Sequence, residues 1–368
     1  MEKSQSADPS KLAEAKVLRA FFYFLLMDDF GNVPFYTDNN ITVDKIPQKT
    51  RQEIYDFVIS ELKDNVEKLP TIKGGQYYGR FTKWAGYTLL AKVYLNSVIY
   101  TGTPHWNECL AACNKVEEGG FSLHPGGANA SSPLGYQYFE LFGDVCPDDE
   151  TILAIFVNAD IVNTNIFTVR SLNGPHCLAL FGYGGWNGTV THRNYIEKFD
   201  DNDIRKKQFI WGPQPGGVDY SLDISSLDNP GANRNDGARN VKFYPVAPRG
   251  GGGSSNDFPI YRYADILLMK AECYVRIGNA AAAKPFLDAV KLRAGLTPRT
   301  VNPTLDDIYN ETGFEFSWEG HRRQDMIRFN KFLLPHDFKL ASGQFRNLFP
   351  IPTSAIDANP LLKQNTGY

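Results

Sequence analysis

Apolar residues recur at helical spacing along most of the chain. Asp8 followed by Pro9 supplies an N-cap and a first-turn proline, and Leu12, Ala15, Phe22, Leu25 and Leu26 then keep a helical period that ends before Gly31. The later half of that stretch, Ala20 to Met27, is apolar all round, which predicts burial on two sides. Thr50 with Glu53 three residues on reads as a capping box. It opens a second helix with Ile54, Phe57, Val58, Leu62, Val66 and Leu69 on one face and Pro70 as its stop.

Two later helix pairs can be laid on one another. Ala91, Tyr94, Gly102, Cys109, Cys113 and Val116 match Ala271, Tyr274, Gly278, Ala283, Leu287 and Val290, at intervals of 3, 8, 7, 4, 3 and 3, 4, 5, 4, 3. Only the turn between helices differs in length, which is tetratricopeptide logic: small residues let two helices approach while an aromatic fills the space beside them. Cys109 and Cys113 are thereby expected as small core residues. Pro285 conflicts with a cap at Asn279, so the second helix of that pair is expected to start later or to kink.

Between the pairs lies a long stretch rich in Gly, Asn, Asp, Pro and aromatics, with a strand-like segment from Thr151 to Val157. Gly250 to Gly253 with Ser254 and Ser255 reads as a flexible loop, without the Gly-Lys-Ser/Thr ending of a phosphate-binding loop. The expected fold is mostly α: a superhelix of tetratricopeptide-like helical pairs with an irregular, loop-rich insertion containing short strands. The expected division is 1–125 for the first repeats, 126–257 for the insertion as candidate ligand-binding region, and 258–368 for the C-terminal repeat.

At 368 residues, with 42% hydrophobic content, the chain can bury a large core. A net charge of -3 without any block of like charge gives no general attraction for nucleic acid or anionic lipid. The longest apolar run, Ala20 to Met27, is too short to span a membrane. Met1 to Ser6 show neither a secretory pattern nor a cysteine that could carry lipid. Five cysteines without C-x-x-C or Cys/His spacing describe neither a disulfide framework nor a zinc site.

Glu315 and Glu319, one helical turn apart, raise the question of glycoside hydrolysis. A hydrolytic pair flanks a sugar from opposite sides of a cleft, which neighbours on one helix face seldom do. Same-helix ion pairs are the favoured reading, Glu319 with Arg322 and Arg323, His321 with Asp325, and Asp325 with Arg328. The six histidines show no metal spacing, no Gly-x-Ser-x-Gly elbow occurs, and Asp200 to Asp203 reads as a turn cap rather than a calcium loop. No catalytic residue, metal or cofactor is expected.

Sugar recognition needs flat apolar platforms for the C–H faces of pyranose rings and polar groups for hydroxyls. The run containing Tyr183, Trp186, Asn187, His192 and Arg193 supplies both, and Trp211 follows in a Gly/Pro-rich loop. These six are the candidate ligand-binding residues, with flanking glycines expected to leave the rings of Tyr183 and Trp186 accessible. Trp186 reads equally well as a core anchor of the insertion. Trp84, Trp106 and Trp318 fall in predicted helices and are expected in the core.

Five separated blocks resemble the SusD/RagB family. They are Glu14-Ala15 with Arg19 to Tyr23 and Val33-Pro34; Gly79-Arg80 with Trp84-Ala85, Leu90-Ala91 and Tyr94-Leu95; Arg262 to Asp265 with Ala271-Glu272 and Arg293 to Leu296; Glu315 to Arg328; and Pro350 to Pro352 with Asn359, Gln364, Asn365, Gly367 and Tyr368. The chain departs from the family pattern at Glu311-Thr312, where a Glu-Arg pair is usual, and looks like the family without its leading segment. The resemblance implies a surface lipoprotein of the outer membrane, held by an N-terminal lipid anchor absent from this chain. Such a protein captures glycan and hands it to a SusC-like TonB-dependent transporter, without chemistry. A peptide-binding RagB-like member and a protein-binding helical-repeat adaptor are the alternatives; a glycoside hydrolase would instead require two cleft-facing carboxylates.

Overall fold

The structure, a computed structural model, describes residues 8–37, 40–161, 164–225, 233–245 and 253–368. The Asp8 side chain accepts from Ser10 N at 2.9 Å and starts helix α1, Pro9–Phe30, which ends at Gly31 with φ 71°. The capping box at Thr50 and Glu53 forms as read and opens α2, Arg51–Asn65. There follow α3, Lys83–Leu95, a short α4, Ser97–Thr101, and α5, Trp106–Glu117. The insertion carries α6, Phe167–Ser171, α7, Gly174–Phe181, and the single turn α8, Arg193–Ile196. The chain closes with α9, Tyr263–Arg276, α10, Ala280–Arg293, α11, Leu305–Glu315, α12, Arg322–Arg328, and α13, Thr353–Ala358.

The two repeats superimpose in kind. Helix α3 packs on α5 and α9 on α10, with Ala91, Cys109, Cys113 and Val116 in the first pair and Ala271, Ala283, Leu287 and Val290 in the second all buried. Gly102 and Gly278 hold the same left-handed turn position, at φ 77° and 83°. The longer first turn is taken up by α4. Tyr94 is buried, and Tyr274 stacks on Phe286 at 5.7 Å. Asn279 does cap α10, its side chain accepting from Ala282 N, so Pro285 sits inside the helix rather than delaying it. The strand Thr151–Ile155 pairs antiparallel with Phe258–Arg262 and ties the insertion to the start of α9. Gly253, Ser254 and Ser255 are buried, with Ser254 bridged to Asn165, so this end of the glycine run is fixed rather than flexible. Gly250 to Gly252, and Met1 to Ser6, lie outside the described residues.

One sequence expectation fails on α1. The buried face is Ala13, Val17, Ala20, Tyr23, Phe24 and Met27, where small residues admit α2, whereas Phe22 is 55% exposed and Leu25 and Leu26 are 39% exposed. The periodicity identified the helix but chose the wrong one of its two apolar faces. A second failure concerns Glu315 to Arg328. The chain leaves α11 at Glu315, turns through Trp318 at φ 66° and Gly320 at φ 84°, and only then enters α12.

The ion pairs expected along one helix are replaced by a buried long-range network. Arg262 donates to Glu150 at 2.6 Å, Glu315 at 2.8 Å and Glu319 at 2.8 Å, while Arg205 reaches Asp203, Glu311 and Glu315 and Arg293 reaches Glu150 and Glu315. Lys242 collects the Glu315 and Ser317 carbonyls at 3.0 and 2.9 Å, the orphan acceptors left where α11 ends, and binds the Glu319 carboxylate as well. Arg322 instead donates to the Tyr309 carbonyl, and Arg323 pairs with Asp29. His321 lies against Lys92 and Asp265. Of the expected local pairs, Asp325 with Arg328 forms, at 2.7 Å.

Burial alone would raise the Glu315 carboxyl, but Arg293, Arg262 and Arg205 overcome it and hold the group well below the usual carboxylate range. Glu272, buried against Arg328 and Arg276, is shifted the same way. A carboxyl whose folded pKa is depressed contributes stability that is complete above its unfolded value, near 4.5, and that is lost as pH falls toward the folded one. Asp325, whose carboxyl burial raises, works in the opposite direction. The expected net result is a urea midpoint that holds steady from pH 7 to 5 and drops between pH 4.5 and 3; a midpoint unchanged at pH 3 would contradict the network's weight.

Candidate functional site

Helix α7 ends at Gly182, φ 77°, and the loop that follows runs back along α6. Its backbone is pinned at three consecutive residues: Trp186 N donates to Val169 O at 2.8 Å, Asn187 N to Leu172 O at 3.0 Å and Gly188 N to Arg170 O at 2.7 Å. Asn187 adopts φ 54°, a left-handed conformation that asparagine tolerates. Its amide donates to Arg234 O at 2.8 Å and accepts from Arg239 Nη2 at 2.8 Å. Arg239 is itself buried, stacks over Tyr220 at 4.3 Å, and donates to the Asp236 and Gly237 carbonyls. The result is a rigid mount for Trp186, whose side chain is 54% exposed.

Tyr183 corrects the expectation of two accessible rings. It is only 8% exposed, stacks on Phe181 at 6.0 Å, and joins Val169, Leu172 and Cys177 in a small core beneath the loop. The glycines beside it explain the difference. A Cβ at Gly185 would lie 2.2 Å from Leu172 O, so the chain presses into α6 there and carries Tyr183 inward; a Cβ at Gly184 would meet nothing within 4 Å.

The remaining candidates stand apart from Trp186 in their surroundings. Trp211, 40% exposed, borders a cavity of about 420 Å³ with Lys206, Lys207 and Gln214. Arg193 is committed to Asp223, through Nε at 2.6 Å and Nη2 at 2.9 Å, and to Glu197 at 3.1 Å. His192 opens a different cleft, of about 570 Å³, with Nε2 3.4 Å from Asp337 across it. Tyr195, Tyr309, Trp318, Arg322 and Lys331 also line that cleft. Sequence reading missed these residues because Trp318 looked helical and Arg322 looked paired with Glu319. The one cue to the cleft was His192.

Glu315 and Glu319, the carboxylates that raised hydrolysis, are 0% and 4% exposed and are bound by cations on all sides described above. Asp200 accepts from Asn202 N at 2.9 Å and Asp203 from Arg205 N at 2.9 Å, the turn-capping role read from the sequence. Trp84 is buried, and Trp106 packs on the main core under Arg276 at 4.9 Å. Trp318, in contrast, lies in the turn after α11, half-buried against Phe167 at 5.9 Å.

The profile of the SusD family matches residues 183–368, and a second, described as starch-binding associating with outer membrane, matches residues 2–95. The starch-binding protein SusD of Bacteroides thetaiotaomicron is 24% identical over 422 residues, covering 97% of this chain and 72% of that protein. A SusD-like protein of Formosa agariphila is 25% identical over 416 residues, covering 99% and 74%. Among solved structures, a SusD-like protein from Bacteroides fragilis superimposes with a TM-score of 0.80 at 20% identity, over 99% of this chain and 81% of that one. Surface glycan-binding protein A from Bacteroides thetaiotaomicron, in complex with laminarihexaose, does so with 0.77 at 23% identity, over 99% and 80%.

Proposed function

Because the chain belongs to the SusD family, we propose that it captures oligo- or polysaccharide at the cell surface and delivers it, without chemistry, to a SusC-like TonB-dependent outer-membrane transporter. The observation that carries the glycan reading is Trp186, a half-exposed indole on a backbone fixed at residues 186, 187 and 188. An exposed ring carried on a fixed backbone can cover the C–H face of a sugar without the entropic cost of ordering the loop. Relatives give the reading its direction: one is named as starch-binding and another structure holds laminarihexaose. Asn187 acts beneath the ring as a positioning residue, since both ends of its amide are already bonded. Trp211 is a second platform on the same insertion, with Gln214 beside it. His192 belongs to a different cleft, and Arg193 is held by Asp223 and Glu197.

Affinity electrophoresis through gels containing neutral polysaccharides, starch and laminarin among them, tests the proposal. The folded protein is expected to be retarded by one of them, and Trp186→Ala to lose about 2 kcal/mol, roughly thirtyfold in affinity. Retardation unchanged in Trp186→Ala would remove the platform, and no retardation by any of these polysaccharides would remove capture of neutral glycan. Reducing ends released from the retained glycan would overturn the non-catalytic part.

A further inference from the structure

The cleft that His192 opens differs in chemistry from the surface around Trp186. Its walls are α8 on one side and α11, the turn after it, and α12 on the other. Three permanently cationic side chains, Lys198, Arg322 and Lys331, face a single carboxylate, Asp337, in a chain whose net charge is -3. Asp337 already accepts from Asn194 Nδ2 and faces His192. Lys331 pairs with Asp306 at 2.6 Å. Arg322 forms no ion pair among the described residues; its one hydrogen bond, from Nη1, goes to Tyr309 O at 2.7 Å. Its guanidinium carbon lies over the Tyr309 ring, 3.7 Å from the centroid, against the backbone of Gly313, where a Cβ would come within 2.7 Å of the guanidinium. That contact and the hydrogen bond to Tyr309 O hold in place a planar donor group whose other N–H groups have no partner among the described residues.

Trp318 stands in the same cleft in a left-handed conformation, φ 66°, which is costly for a bulky residue. The turn is held there from below by Lys242, which binds the carbonyls on either side of residue 316, and by Glu319 on Arg262. An indole in a fixed pose beside a pre-oriented guanidinium is a complementary pair: the first covers the apolar face of a sugar ring and the second takes an oxyanion in two parallel hydrogen bonds.

We propose that this cleft is a second saccharide site, independent of Trp186, that selects sugars bearing an anionic group, the carboxylate of a uronic acid or a sulfate ester. Arg322 binds the oxyanion, Trp318 carries the ring, and Lys198 on the rim adds attraction. The inference rests on the reading of the chain as a glycan binder and extends it to the charge of the ligand.

Isothermal titration with tetragalacturonate, its fully methyl-esterified neutral form, and a sulfated carrageenan tetrasaccharide tests it on the whole chain. Trp186→Ala, Arg322→Gln and Lys198→Ala are compared, with circular dichroism for folding. One or both acidic probes are expected to bind, and the methyl ester at least tenfold more weakly. Arg322→Gln is expected to cost tenfold or more and the exposed Lys198→Ala two- to threefold, with Trp186→Ala within twofold of wild type. If Arg322→Gln fails to fold, Lys198→Ala together with the esterified probe carries the result. Equal affinity for the esterified probe, no binding of either acidic probe, or loss of binding in Trp186→Ala would overturn the second site. Retention of neutral glycan by Trp186 is read separately in the electrophoresis, so failure here leaves that result standing.

Discussion

Glu315→Ala is expected to lower the stability of the fold by about 3–5 kcal/mol, read as a fall in the urea midpoint. The carboxylate accepts from Arg205 at 3.0 Å, from Arg262 at 2.8 Å and from Arg293, and it is fully buried. Deleting it leaves three guanidinium groups facing one another away from water, with Glu150, Glu311 and Glu319 each bound to only part of the set. The cost is the stranded charge, larger than the net value of any one pair. Glu315→Gln keeps the shape and one acceptor oxygen and should fall between the two. Glu197→Ala, which removes an exposed partner of Arg193, should leave the midpoint where it is. A loss below about 1 kcal/mol for Glu315→Ala would mean that water or rearranged side chains replace the carboxylate, and the network would not be what joins the insertion to α9, α10 and α11.

Gly185→Ala should weaken glycan retention tenfold or more, approaching the loss in Trp186→Ala, while adding a methyl group where no ligand is bound. The new Cβ would lie 2.2 Å from Leu172 O and 2.9 Å from the Cys177 Cβ. A backbone carbonyl cannot swing aside as a flexible side chain does. The loop must therefore lift from α6, breaking the hydrogen bonds of Trp186 N and Asn187 N and freeing the indole to reorient. The expected loss is tenfold or more in affinity, about 1.4 kcal/mol, together with a modest fall in the unfolding midpoint. Gly184→Ala is the matched control: its Cβ meets nothing within 4 Å, and it should bind as wild type does. Equal retention by both variants would show that the position of Trp186 does not matter to binding.

These two predictions differ in how far the sequence alone could have reached them. The clash at Gly185 needs only the knowledge that two glycines precede a tryptophan and that one of them is pressed against a neighbour; the sequence supplies the glycines and the structure says which. The Glu315 network is further from view. Its members span residues 150 to 319, and no local spacing distinguishes a carboxylate that pairs with its own helix from one that pairs with Arg262. Likewise Trp318 looked like one more helical core residue, because the break after Glu315 is imposed by Lys242 and Arg262 reaching in from other segments.

What the sequence determined by itself is what neighbours in the chain decide among themselves: the caps at Asp8 and Thr50, the paired helices with Ala91, Cys109 and Cys113 matched to Ala271, Ala283 and Leu287, and the left-handed turns at Gly102 and Gly278. Each of these is set by hydrogen bonds and steric fit within a few residues. The tertiary structure decided which of two apolar faces α1 buries, that Tyr183 goes in while Trp186 stays out, and that His192, Trp318 and Arg322 share one cleft. Those outcomes turn on which distant surface offers the closer packing or the opposite charge, and that surface exists only once the chain has folded.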